Sequence, residues 1–139
     1  MRLQTVLTAS AVYLGVLGLG FLLAPRQIGI EAVPADASPA LVAYLRIFGG
    51  PCLGIAVLNW LARDAEPSRA LDAIILANIV GFATVTAADV WGVFAGGARS
   101  VAKVFLVVHL LMTLGFVLAW RARTRPGDPG RRPEPSARS

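Results

Sequence analysis

Arg46, Asp89 and His109 are ionisable residues inside long apolar stretches, where hydrocarbon penalises a charge by at least ~2.5–3.5 kcal/mol. Such residues mark candidate sites for binding, proton transfer or ion pairing. Asn78 joins them: it lies eleven positions before Asp89, roughly 1,100° of helix, which returns to within about 20° of the same face. One face would then carry a carboxamide deep in the stretch and a carboxylate nearer its end, with Thr84 and Thr86 beside that line.

The elements that must position these residues are four apolar stretches, 3–24, 40–62, 73–95 and 104–120, each long enough to cross a bilayer as a helix. Pro25 ends the first stretch, because proline cannot donate to the next turn. Its apolar region is too long for a signal peptide, so it is expected to remain as a helix. Residues 25–39 form the longest internal connection. The polar run 63–69 makes a tight hairpin, with Ser68 capping a helix from about Arg69 and Asp72 in its first turn. The expected fold is an all-α membrane protein, a four-transmembrane-helix bundle over residues 1–120. Residues 121–139, rich in Arg and Pro, are expected to be a disordered tail.

Charge sets the orientation. With both termini cytoplasmic, nine basic residues lie inside and three (Arg26, Arg99 and Lys103) outside, a positive-inside bias. This places Arg46, Asp89 and His109 at similar depth, each roughly 8–9 Å below the outer end of its span at 1.5 Å per residue. Three arrangements fit that depth: an Arg46–Asp89 ion pair, an Arg46 that reaches the headgroups alone, or a functional polar site. His109 either joins the pair or bonds a backbone carbonyl. Asn78 is a site residue or interhelical glue. Asn59, beside Trp60 near the cytoplasmic interface, carries less weight.

The run Arg46-Ile47-Phe48-Gly49-Gly50-Pro51-Cys52-Leu53-Gly54 is the most distinctive local sequence. Pro51 lacks an N–H and crowds the Ile47 carbonyl, so a kink is expected. Gly49, Gly50 and Gly54 would line either a packing notch or a cavity, with Gly50 and Gly54 forming a GxxxG pair.

Composition excludes several classes. At 139 residues and 56% hydrophobic, the chain leaves no room for a separate soluble catalytic domain beside four spans. One His and one Cys cannot close a zinc site, and no haem-attachment or phosphate-binding motif is present, so no metal or cofactor is expected. Cys52 reads as a small apolar residue. The +5 net charge is not a nucleic-acid signature, since six of the thirteen basic residues sit in the tail with no aromatic after them. Those arginines are expected to bind anionic lipid, at roughly 1 kcal/mol each.

The Leu-Leu-Ala-Pro run at 22–25, Leu45-Arg46-Ile47-Phe48-Gly49-Gly50, Leu53-Gly54 and Asn59-Trp60-Leu61-Ala62-Arg63 resemble small bacterial four-helix membrane proteins of the broad DoxX-like type, over about residues 5–120. The resemblance implies a bacterial inner-membrane location and an association with quinone-linked sulfur oxidation or membrane redox assemblies as an accessory subunit. Three functions follow as expectations. The first is an accessory or scaffolding subunit that works with a larger membrane partner or as a homo-oligomer. The second is a carrier for a hydrophobic or quinone-like ligand in an outer-leaflet polar cavity. The third is a component of a membrane oxidoreductase.

Overall fold

The computed structural model describes residues 2–28, 33–95 and 101–124. These form α1 (Leu3–Leu23), a short α2 (Pro25–Ile28), α3 (Pro39–Ala62), α4 (Arg69–Phe94) and α5 (Ala102–Thr124), with no strand among the described residues. The four long helices have the length and hydropathy of membrane spans. They match the expected all-α four-helix membrane fold.

Caps set the boundaries. Ser38 and Ser68 begin α3 and α4, each Oγ accepting the backbone N–H three residues on at 3.2 Å. Pro39 follows Ser38 at the first helical position, where its missing N–H costs nothing. The helix α4 starts four residues before its apolar stretch, and α5 runs four residues past Trp120. Arg123 Nη2 donates to Asp72 Oδ1 at 3.0 Å, tying the end of α5 to the start of α4. Arg121 to Thr124 are therefore helical. Gly96 and Gly97, where the sequence predicts a turn, and residues 125–139 lie outside the described residues.

The helices associate as two pairs, α1 along α3 and α4 along α5, while α1 touches α5 more lightly and α3 meets α4 only briefly. The 63–69 hairpin is tight at its loop, yet its two helices diverge. Gly18 and Gly49 explain part of this. A Cβ on Gly49 would stand 2.6 Å from the Gly18 carbonyl oxygen, so α1 and α3 cross with backbone against backbone. That crossing holds α3 to α1, leaving α4 to pair elsewhere. Gly50 and Gly54 have no atom within 4 Å of an added Cβ, so of the three α3 glycines only Gly49 is a packing notch within the chain.

The buried core sits at the end where α1 begins and α5 stops. Val6, Leu7, Ala62, Leu71, Ile75, Phe82 and Phe116 form one cluster there. At the far end of the spans, Leu23, Trp91 and Phe94 are among the most exposed large side chains, at 77%, 76% and 84%. Hydrocarbon removes the penalty such a surface would carry in water. The bundle is closed at one end and open at the other.

The crossing generates a paired prediction. Gly49→Ala should destabilise by about 1–3 kcal/mol, because the backbones must separate. Gly50→Ala should be neutral or stabilising by up to ~1 kcal/mol through helix propensity. Thermal unfolding of both variants in one detergent checks this; equal losses would contradict the crossing.

Candidate functional site

Divergence of α3 from α4 opens a cleft of about 1050 Å³. Residues from all four long helices line it, together with Ile28 of α2. Most of the wall is apolar or aromatic, including Phe21, Tyr44, Phe48, Phe82 and Phe105. Tyr44, Ile47 and Phe48 also face outward at 63%, 69% and 54% exposure, so this is an open cleft rather than a sealed void.

Polar groups enter it at two levels. On the first, Tyr13, His109 and Asp89 form a chain of hydrogen bonds joining α1, α5 and α4. Asp89 Oδ2 lies 2.6 Å from His109 Nδ1, and the Tyr13 hydroxyl lies 2.7 Å from His109 Nε2. His109 is 8% exposed, and its ring lies among Tyr13, Phe82 and Phe105, with centroids 5.6, 6.1 and 6.2 Å away. An ionised carboxylate only accepts, so Nδ1 carries a hydrogen and donates it to Asp89. In a neutral imidazole Nε2 is then an acceptor, which the Tyr13 O–H fills. Below this chain the Thr113 and Thr86 hydroxyls are 3.3 Å apart, and Thr113 also donates to the His109 carbonyl at 2.8 Å.

The second level is a carboxamide pair. Asn59 and Asn78 exchange two hydrogen bonds, each Nδ2 donating to the other's Oδ1 at 2.8 Å. Asn59 Nδ2 also donates to Ser10 Oγ at 2.9 Å, and Asn78 Nδ2 to the Ile74 carbonyl at 2.9 Å. Ser10 and Asn59 are fully buried. The cluster joins α1, α3 and α4 beside the closed end and floors the cleft, which Asn78 also lines.

The structure thus brings Asp89, His109 and Asn78 to one cleft and leaves Arg46 outside it. Arg46 is exposed, does not line the cavity and forms no ion pair with a described residue. Asp89 takes His109 as its partner in place of Arg46. Similar depth did not decide this: α4 packs along α5 and stands apart from α3. Pro51 and Cys52 line the cleft wall, and α3 runs unbroken through Pro51.

Two polar residues of the cleft and its floor carry no distinguishing mark in the sequence. Tyr13 reads as one more aromatic in an apolar span. Asn59 reads as an interfacial residue beside Trp60, yet it makes as many hydrogen bonds in the floor as Asn78 does.

Truncating one member of the carboxamide pair strands its partner. Asn59→Ala should cost about 1–3 kcal/mol, and adding Asn78→Ala should cost less than the sum of the single changes. Arg46→Gln should move stability by no more than ~0.5 kcal/mol. A double-mutant cycle read by reversible unfolding in detergent decides this, and strict additivity would break the pair.

No family model, curated protein or solved structure matches this chain, so what the site does has to be read from its own geometry.

Proposed function

We propose that this chain is a multi-pass membrane protein that holds an amphipathic, mostly apolar ligand in the α3–α4 cleft. The ligand's polar head lies against Tyr13, His109 and Asp89. The observation that carries this reading is the cleft itself: about 1050 Å³ of space, apolar along its walls, with one half-buried polar relay at its side. Ligand sites are commonly apolar cavities of roughly 300–1,000 Å³ with a few placed polar groups. The distribution of basic residues supports cytoplasmic termini and a head-group site in the outer half of the membrane. Together with the resemblance to DoxX-like proteins, it supports a bacterial inner membrane.

A second reading, an accessory subunit, draws on a different surface. Gly50 and Gly54 expose a side-chain-free strip of α3 with nothing within 4 Å, where a helix of a larger partner or of a second copy would fit. The first reading accounts for more, because it uses the cleft, the relay and the carboxamide floor together.

Gly81 offers a clean test. It lines the cleft, and an added Cβ there meets nothing within 4 Å. Gly81→Leu should therefore fill the cavity while leaving the fold intact, since leucine is also the better helix former. Native mass spectra of protein released from bilayers should show a retained small molecule in the wild type. Gly81→Leu should reduce its occupancy roughly tenfold, equivalent to about 1.4 kcal/mol. Unchanged retention in the variant would remove the cleft as the binding site.

A further inference from the structure

The hydrogen-bond chain specifies what kind of head group the cleft accepts. Asp89 is the only carboxylate among the described residues that line the cavity, and no lining residue is Arg or Lys. Only its Oδ2 is bonded to a described residue, which leaves Oδ1 as a further acceptor. With Asp89 ionised and His109 neutral, the one hydroxyl hydrogen of Tyr13 is used on Nε2. Tyr13 then offers only oxygen lone pairs to a ligand. In that state the relay carries one negative charge, and the polar atoms it leaves free are acceptors. A carbonyl head, which needs a donor, is poorly matched. A head that donates hydrogen bonds or carries positive charge is well matched.

One added proton reverses this. On His109 it makes both ring nitrogens donors: Nδ1–H still bonds Asp89, Nε2–H now bonds the Tyr13 oxygen, and the Tyr13 hydrogen is released toward the cavity. The relay becomes neutral overall. A monovalent cation beside Asp89 and a proton on His109 would then place two positive charges around one carboxylate in a poorly hydrated site, which favours one or the other.

We infer that the cleft binds a lipophilic monocation, an amine or quaternary onium on an apolar body, in exchange for one proton held by the Tyr13–His109–Asp89 relay. This rests on the cleft being a ligand site. The exchange balances: the cation enters beside the carboxylate, the Nε2 proton leaves to water at the cleft mouth, and the Tyr13 O–H turns back to Nε2. The ionisable groups facing the relay are Tyr13 from α1, Tyr44 and Cys52 from α3 and Asp89 from α4; Lys103 of α5 is exposed and does not line the cavity.

The test uses the full chain in lipid nanodiscs, with empty nanodiscs subtracted. The probes are tetraphenylphosphonium, the shape-matched anion tetraphenylborate and a neutral short-chain quinone. The cation should bind at least tenfold more tightly than either other probe. At a pH where the relay holds its proton, binding should release one proton per cation in weakly buffered solution, and the affinity should fall tenfold for each unit by which the pH is lowered. Asp89→Asn should abolish cation binding and Asp89→Glu should restore part of it. Gly81→Leu should lose every cleft probe. If the quinone or the anion binds, is lost in Gly81→Leu, and the cation has no advantage, the cleft is a ligand site and the cation inference fails. Cation binding with no proton release in the wild type overturns the exchange. If no probe responds to Gly81→Leu, the ligand-site reading fails with it.

Discussion

A carboxamide inside a bilayer has no water to bond, and that constraint fixes where α3 and α4 meet. Asn59 and Asn78 satisfy each other through two hydrogen bonds, with Ser10 and the Ile74 carbonyl taking up remaining capacity. Separating the helices at this point would expose four polar groups to hydrocarbon. Beyond it nothing comparable draws α3 toward α4. The Gly18–Gly49 crossing holds α3 against α1, while the Asp89–His109 and Thr86–Thr113 bonds hold α4 against α5. Joined at this floor, α3 and α4 open above it while Tyr13 and His109 keep α1 and α5 together, and the cleft is that opening.

Its chemistry follows from what spans the gap. Tyr13 reaches from α1 to His109 on α5, and His109 reaches to Asp89 on α4. A charged carboxylate is thereby kept in an apolar region by a specific partner, the condition under which an intramembrane acid is tolerated. The same bonds that make Asp89 tolerable leave its second oxygen and the Tyr13 lone pairs for a ligand. In the proposed reading, binding and bundle stability share side chains, so a variant's effect on one has to be read beside its effect on the other.

Hydropathy made the four spans legible, and Ser68 and Pro25 mark ends that the structure keeps close to those places. The candidate site was legible only in part. Depth along a helix can be read from residue number, so Asp89 and His109 were placed at one level. Rotation about the axis and the choice of neighbour cannot be read that way, so Arg46 was an equally good partner for Asp89 on paper. Which helices pair depended on Gly49 meeting Gly18, whereas Gly50 and Gly54, the motif-forming pair, meet nothing. Tyr13 was missed because a tyrosine in an apolar span looks the same whether its hydroxyl is bonded to a histidine or lies at an interface. Closeness to Trp60 places Asn59 along α3 but does not say that Asn78 of α4 and Ser10 of α1 face it.

The most direct measurement is an experimental structure of the protein crystallised from a lipidic mesophase with its native lipids retained. The account predicts α3 and α4 apart above Asn59 and Asn78. It also predicts one elongated density in the cleft, its polar end within hydrogen-bond distance of Tyr13 or Asp89. Helices α3 and α4 closed against each other would contradict it. So would an acyl chain whose headgroup remains at the membrane surface, far from His109.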